Sequence, residues 1–433
     1  MARRDLSRGR PLPARAVRRG RALALTGIVL LAFSLRSAVA SLSPLVGRIG
    51  ADFALSATAI GLIAAIPPAC FAVFGILTPR LERRVELERA TLFALILITA
   101  GLVARGLATG APALLAATIV VFAGVGAGNV LLPPLVKKHF PHRIGPVTTV
   151  YLCAMAASTF LPPLVAVRVA DAAGWRVSIG LWAVFSVAAL LPWIRLTART
   201  PRTPVGTAGA TGAVGTVCPV RAVGGGTDIG WRLWRLPLAW ALTTGFAVSA
   251  VLAYTSFAWM PQLLVDLSGV TPATAGAILS VFAVMSLPTS LVVPLVAARL
   301  GAAGIRAMFG MSVLLGLTAL GGLAFLPEVA PWLWVALLGL ATLLFPLTLV
   351  LLGVRTRFHE TTTALSGFVQ SVGYGIASVF AFGVGSLHAV TGGWSVPLVV
   401  LALLVLAVLP AGIVASRPET VEDAWQRRHG PWT

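Results

Sequence analysis

The sequence predicts an all-α polytopic membrane protein, with twelve transmembrane helices arranged as two pseudo-symmetric six-helix bundles. First, the 433 residues are 58% hydrophobic and only 11% charged, so a soluble chain of this length would lack the charge to cover its surface. Second, apolar segments of roughly 20 residues recur along the whole chain. Third, the same short motifs occur twice, about half a chain apart.

Twelve segments are long and apolar enough to cross ~30 Å of hydrocarbon as helices. They are 22–46, 57–78, 90–107, 112–134, 146–168, 175–195, 237–260, 273–297, 302–326, 331–353, 363–387 and 394–415. A stretch rich in Gly, Thr, Pro and Arg separates the sixth from the seventh, and its composition indicates a flexible linker. We therefore expect a basic tail, a first bundle, a linker, a second bundle and a second tail, at 1–21, 22–195, 196–236, 237–415 and 416–433.

The basic residues lie almost entirely on one side of the predicted membrane. With a cytoplasmic N-terminus, 28 of the 33 Lys and Arg fall in cytoplasmic segments and four in outer loops, which leaves Arg36. This bias predicts cytoplasmic N- and C-termini, in a multi-pass protein of the plasma (inner) membrane. The net charge of +20 does not indicate a nucleic-acid partner, because the basic residues punctuate apolar runs and form no stripe. The expected partners are the lipid bilayer and a small-molecule solute, and the expected state is a monomer.

Motifs repeat between the two halves at a nearly constant offset. The matched pairs are SATAIGL at 56–62 with PATAGAI at 272–278, VKKHF at 136–140 with VRTRF at 354–358, and AGW at 173–175 with GGW at 392–394. Their common order predicts a duplicated six-helix unit, a layout in which a binding site lies between the halves at the membrane midplane. The same offset aligns Arg36 with Tyr254, so we expect these two side chains to approach one central cavity.

Arg36 is the charged residue that the sequence places deep within a span, 15 residues from Arg21. A central arginine costs at least ~2.5–3.5 kcal/mol on insertion scales. None of the 13 acidic residues falls inside a predicted span, so the chain supplies no intramembrane carboxylate to offset this cost. A bound anion is one candidate partner, which would make Arg36 a substrate-binding residue. The alternative is that Arg36 bonds helix carbonyls and holds spans together.

Five further polar or aromatic residues at membrane depth are candidates for substrate binding. Asn129 follows a run of small residues that allows close helix approach, so its amide suits either a site or an interhelical bond. Gln370 and Tyr374 lie four residues apart and therefore share one helix face. Tyr254 can line a cavity or pack, whereas packing or a membrane-interface role is the stronger alternative for Trp259.

The sequence contains no pattern that points to an enzyme, a cofactor or a metal. It lacks a nucleophile–base pair, a metal cluster and a phosphate-binding loop, and its three cysteines are far apart. We therefore expect no catalytic residues, no cofactor and no metal site. Because no carboxylate lies within a predicted span, proton coupling through carboxylates is disfavoured, while uniport, exchange and symport of a protonated solute remain open.

Several stretches resemble the cyanate / 2-nitroimidazole transporter family of the major facilitator superfamily. They are LRSAVASLSPL at 35–45, GAGNVLLPPLVKKHFP at 126–141, FAWMPQLLVDLSGVTPATAG at 257–276 and LSGFVQSVGYGIAS at 365–378. The resemblance implies a twelve-span transporter of a small anionic or weakly acidic solute, and it carries the family's motif residues onto Arg36, Asn129, Gln370 and Tyr374. The chain departs from the family pattern at Ser37, where a proline usually follows the arginine, and at VFAF, residues 379–382.

Two functional hypotheses follow. The first is secondary active or facilitative transport of a small anion or weak acid by alternating access, with Arg36 in the site. The alternative is efflux of a neutral or aromatic drug-like molecule by the same fold, with Arg36 structural and with Tyr254, Phe257 and Trp259 as an aromatic cavity. An effect of small anions on transport separates the two, since only the first requires it.

Overall fold

A computed structural model describes residues 14–42, 45–53, 57–199 and 228–432, and these ranges are folded into helices joined by short turns. The first half contains α1 Ala14–Ala40, α2 Val46–Phe53, α3 Ala57–Val85, α4 Leu87–Gly106, α5 Ala111–His139, α6 Ile144–Ala173, α7 Trp175–Gly180 and α8 Ala183–Arg199. The second half contains α9 Asp228–Trp234, α10 Pro237–Ser268, α11 Pro272–Val284, α12 Ser286–Phe325, α13 Pro331–Ala341, α14 Leu344–Val354, α15 His359–Thr391, α16 Ser395–Leu406, α17 Val408–Ala415 and α18 Val421–His429.

The described helices account for twelve membrane crossings. Nine helical stretches in the described ranges are long and apolar enough to cross a bilayer. One of them, Thr274–Phe325, has 52 residues and turns at Gly301, whose φ of 51° favours glycine, so it makes two crossings. Helices α3 and α6, of 29 and 30 residues, supply the remaining two. The predicted all-α, twelve-span fold is therefore confirmed.

The first predicted span is wrong at its C-terminal end. Helix α1 ends at Ala40, residues 41 and 42 form a turn, and α2 is a separate helix. The predicted span of 22–46 ran through this break because its apolar composition continues. The overlooked signal is Pro44, since a proline disfavours the helical conformation of the residue before it. Arg36 thus lies four residues from the end of α1 rather than at mid-span.

The predicted linker and C-terminal tail are partly helical. Helix α8 continues to Arg199, α9 begins at Asp228, and the tail contains α18. The start of α18 is capped, because Thr420 Oγ1 accepts from the Asp423 amide while the Asp423 carboxylate accepts from the Thr420 amide. Most of the linker lies outside the described residues, so the domain boundaries stay a prediction.

An equivalent hydrogen bond occurs in each half, at the end of the bundle where α6 and α15 end. In the first half, Trp175 Nε1 donates to Asp52 Oδ2 at 2.6 Å. In the second half, Trp394 Nε1 donates to Asp266 Oδ2 at 2.8 Å. The two tryptophans belong to the matched AGW and GGW motifs. The repeat seen in the sequence therefore corresponds to a repeated contact in the fold.

The halves are packed together at the end of the bundle formed by residues 79–89, 135–145 and 354–362, here called the basic end. There α3 and α15 approach closely through glycines. A Cβ atom added at Gly75 would lie 2.1 Å from Ser371 Oγ, and one added at Gly367 would lie 2.6 Å from the Gly75 carbonyl oxygen. Small residues allow this approach, so the basic end is closed in this structure.

Lys137 adds a polar contact across the closed basic end. Its Nζ, at the end of α5 in the first half, donates to the Gly353 carbonyl at 2.7 Å and also to the Thr356 carbonyl. These carbonyls lie at the end of α14 in the second half, where backbone oxygens lack helical partners and carry partial negative charge. The ammonium therefore links the two halves where α14 ends.

Candidate functional site

Arg36 lies between the two halves, beyond the closely packed contacts of α3 and α15 as seen from the basic end. Its side chain is half-buried, and its Cζ lies 5.3 Å from the centroid of the Phe345 ring on α14. The guanidinium also faces the hydroxyls of Tyr254 on α10 and Tyr374 on α15, closely enough to interact with both. A residue of the first half thus meets three aromatic residues of the second. The repeat alignment of Arg36 with Tyr254 corresponds to their convergence in space.

A cluster of aromatic rings packs beside the Arg36 guanidinium, on the side that faces the basic end. The Tyr374 ring meets the rings of Phe71 and Phe246 at centroid distances of 5.0 Å each, and that of Tyr254 at 6.0 Å. Phe246 in turn contacts Phe345 at 5.5 Å. Most of these pairs are edge-on, the arrangement that aromatic quadrupoles favour. The result is an aromatic wall around one guanidinium and two phenol hydroxyls.

No described carboxylate forms an ion pair with Arg36. The cation–π contact with Phe345 contributes about 0.5–2 kcal/mol, and the nearby C-terminal end of α1 favours a positive charge by roughly 0.3–1 kcal/mol. The hydroxyls of Tyr254 and Tyr374 face the guanidinium as well. These terms are comparable to the insertion cost of ~2.5–3.5 kcal/mol. They make the half-buried cation tolerable without neutralising it.

Asn129 and Gln370 lie between Arg36 and the basic end, where the two halves are packed together. Gln370 Nε2 donates across the interface to the Asn129 carbonyl at 3.1 Å, and within α15 to Ser366 Oγ at 2.8 Å. Both side chains are buried, and Asn129 Nδ2 has no hydrogen-bond partner in the described structure. In this conformation the two residues join the halves. Their predicted role in substrate binding stays a prediction, which requires the two halves to separate there.

Trp259 is not among the side chains around Arg36. Its Nε1 donates to the Ala381 carbonyl at 2.7 Å, and its ring lies so close to Gly385 that an added Cβ would be 2.1 Å away. The ring borders a small apolar space inside the second half, together with Leu323 and Leu401. These contacts favour the packing role over the predicted substrate-binding role.

Comparisons with known proteins agree with this architecture. A family model described as Major Facilitator Superfamily matches residues 28–376. The chain belongs to the major facilitator superfamily. The solved structure of the proton:xylose symporter XylE bound to 6-bromo-6-deoxy-D-glucose superposes with a TM-score of 0.71 at 14% identity, covering 94% of this chain and 98% of that chain. At this identity the likeness concerns the fold alone.

Two relatives support the narrower family resemblance. The 2-nitroimidazole transporter of Escherichia coli (strain K12) is 30% identical over 409 residues, which cover 93% of this chain and 98% of that protein. The cyanate transport protein CynX of the same strain is 24% identical over 373 residues, covering 85% and 90%. This facilitator is therefore a multi-pass membrane transporter of small solutes, and its relatives are transporters rather than enzymes.

Reasoning from the sequence missed several residues of the site in this facilitator. Phe345, Phe71 and Phe246 lie in apolar runs, where nothing distinguishes a ring that faces the site from one that faces lipid. Arg105 is one of the four basic residues that the sequence-based topology assigns to outer loops, the others being Arg48, Arg168 and Arg176, although it falls inside the predicted span 90–107. The structure buries it completely, so Arg36 is not the only arginine within the described bundle.

Charged residues of both halves meet at the basic end, outside the predicted spans. Glu82, near the end of α3, is buried, and burial raises its pKa to about 7. Repulsion by Glu360 of the second half and by Glu88 contributes to this raised pKa, whereas Lys138 and Arg83 oppose it. Because part of this environment comes from the second half, opening the basic end returns the pKa toward its ordinary, lower value.

We expect closure of the basic end to depend on pH through Glu82. The closed state binds the proton more tightly, so closure is favoured below pH 7 and weakens as the pH rises through about 7. Between pH 8 and pH 5.5 the closed-to-open ratio rises on the order of tenfold.

The measurement is the electron-spin distance between labels at His142 and Arg417, two exposed positions at the basic ends of the two halves. The label sites are cysteines in a variant whose three native cysteines are serine. Glu82→Gln imitates the protonated side chain and should hold the closed distance at pH 8. A pH response that persists unchanged in Glu82→Gln contradicts the assignment to this residue.

Proposed function

We propose that this facilitator carries a small anionic or weakly acidic solute by alternating access, with Arg36 as the charge that attracts it. The observation that carries the proposal is the half-buried guanidinium between the halves, which has no ion-pair partner among the described carboxylates. An anion bound there gains a charge-assisted hydrogen bond in a site of low polarity, where such bonds are strong.

The two phenols suit the same ligand. The hydroxyls of Tyr254 and Tyr374 both face Arg36, and a phenol hydroxyl can donate a hydrogen bond as well as accept one. An anion beside the guanidinium therefore meets one cationic and two neutral donors. The aromatic wall limits the ligand to a small solute, and its faces and edges provide packing for an unsaturated or planar one.

The closed basic end supports alternating access. Three contacts between the halves follow one another from this end toward Arg36, namely Pro79 with Gly367, Gly75 with Ser371, and Phe71 with Tyr374. If the termini are cytoplasmic, as the basic residues predict, the site is closed toward the cytoplasm and the structure corresponds to an outward-facing state. Transport then requires these three contacts to separate while the opposite ends of the two halves approach each other.

The names of the relatives fit this substrate class, since cyanate is a small anion and 2-nitroimidazole is a small planar molecule. We further propose that the protein resides in the plasma membrane as a monomer, with both termini cytoplasmic and without a cofactor. Its coupling is either facilitative or secondary active.

The aromatic wall favours a second candidate, a neutral aromatic solute. In that case Arg36 is retained for its contacts with Phe345, Tyr254 and Tyr374, and charge on the ligand adds nothing. A pair of ligands with one shape and different charge separates the candidates.

Benzoate and benzamide form such a pair. With purified protein in lipid nanodiscs, we expect benzoate, and cyanate as a smaller anion, to raise the thermal unfolding midpoint in proportion to concentration. Benzamide should bind at least ~10-fold more weakly, because it cannot form a charge-assisted bond with a guanidinium. Equal affinity for benzoate and benzamide would favour the neutral solute, and binding of benzamide alone would refute the anion site.

A further inference from the structure

Arg105 is fully buried in the outer part of the first bundle, at the last turn of α4. A charge placed there only to orient the protein would reach water, as the exposed Arg168 on α6 does. Enclosing a guanidinium is costly unless its donors are bonded. Its contacts therefore have to explain its position.

Those contacts are to two neighbouring helices. Nη1 donates to the Ala38 carbonyl of α1 at 2.9 Å, and Nε donates to Thr118 Oγ1 of α5 at 3.1 Å. Thr118 in turn donates to the Leu114 carbonyl at 2.6 Å, so its hydroxyl is oriented to accept from Arg105. The guanidinium also lies 4.8 Å from the centroid of the Phe122 ring. No described carboxylate pairs with it.

The first contact holds the end of α1. The Ala38 carbonyl is among the last four of this helix, which have no intrahelical partner. The helix stops at Ala40 and a turn follows, so no continuing helix restrains this end. Arg36 projects from the same part of α1, two residues before Ala38. The Arg105 bond therefore restrains the backbone that carries Arg36.

The contact of Arg105 with the Phe122 ring leads to the opposite half of the site. The Phe122 ring meets the Phe71 ring edge-on at 6.0 Å, and Phe71 meets Tyr374 at 5.0 Å. Tyr374 carries one of the hydroxyls that face Arg36. Arg105 is thus connected to the Arg36 guanidinium through α1. It is connected to the Tyr374 phenol of the opposite half through the rings of Phe122 and Phe71.

We propose that Arg105 is a positioning residue, which holds the end of α1 and the Phe122–Phe71–Tyr374 stack so that Arg36 and Tyr374 meet the solute together. The role requires arginine, because a planar fork can bond two acceptors and lie against a ring, whereas an ammonium is a single point charge. The effect on solute binding rests on the proposed function. The restraint of α1 does not.

The binding test is a double-mutant cycle with benzoate as the probe. Arg105→Lys should weaken benzoate binding about 10-fold in the native chain, but less than about 2-fold when Arg36 is already lysine. The control is Arg48→Lys, an ion-paired and partly exposed arginine at the same end, which should leave the affinity unchanged. Equal losses in both backgrounds would show that Arg105 does not act through Arg36 and would overturn the proposal.

A second measurement needs no solute. Hydrogen exchange of the backbone amides of residues 37–42 should accelerate at least 10-fold in Arg105→Lys and remain unchanged in Arg48→Lys. Unchanged exchange in Arg105→Lys would overturn the proposal whatever the binding data show. If the native chain binds no benzoate, the proposed anion site fails, and this exchange experiment alone decides whether Arg105 holds α1.

Discussion

Replacing Arg36 with alanine should lower the affinity for benzoate on the order of 100-fold, while the protein still inserts and folds. Truncating one partner of a buried charged hydrogen bond typically costs 2–5 kcal/mol, and 1.4 kcal/mol corresponds to a factor of ten. The fold should survive because these contacts of Arg36 are with side chains of the second half, not with the core of its own bundle. The measurement is ligand-dependent thermal stabilisation in nanodiscs.

Two matched variants make this result specific. Arg36→Lys keeps the charge but loses the planar fork, so we expect an intermediate loss of about 10-fold. Arg48→Ala removes a positive charge that is ion-paired with Asp171 outside the site and should have no effect. Retained benzoate binding by a folded Arg36→Ala protein would refute the anion role and favour the neutral solute.

Replacing Gly367 with alanine should open the basic end. The new Cβ would lie 2.5 Å from Pro79 Cγ and 2.6 Å from the Gly75 carbonyl oxygen, and backbone at that distance has to move. Since α3 and α15 cannot approach as closely, we expect the closed population to fall at least ~10-fold, as a clash of only ~1.4 kcal/mol would produce. The distance between spin labels at His142 and Arg417 should lengthen.

Gly375 on the same helix provides the control. A Cβ added there meets nothing within 4 Å, yet both substitutions bring the same gain in helix propensity. Gly375→Ala should therefore leave the distance distribution unchanged. If Gly367→Ala and Gly375→Ala gave the same distance distribution as the closed protein, the close approach of α3 and α15 at Gly367 would not determine closure.

Burial of polar and aromatic residues was the hardest property to predict. Gln370 and Tyr374 share a helix face, as their spacing predicts, and both lie at the interface between the halves. Their spacing did not reveal that Gln370 would donate a hydrogen bond to the Asn129 backbone carbonyl while Tyr374 would face Arg36. Trp259 is only five residues from Tyr254, yet it packs inside the second half. Which of two aromatic residues reaches a site depends on helix rotation, and rotation is set by neighbouring helices.

The sequence by itself determined the number of spans, the duplication and the presence of an unpaired arginine between the halves. These properties follow from composition and order, because lipid requires long apolar helices whose backbone groups are satisfied locally. Only the tertiary structure decided that α1 ends near Arg36, that Gln370 bonds the Asn129 backbone across the interface, and that the buried Arg105 bonds the end of α1. A helix that is apolar on every face carries no signal for the direction it faces, so packing between helices has to supply it.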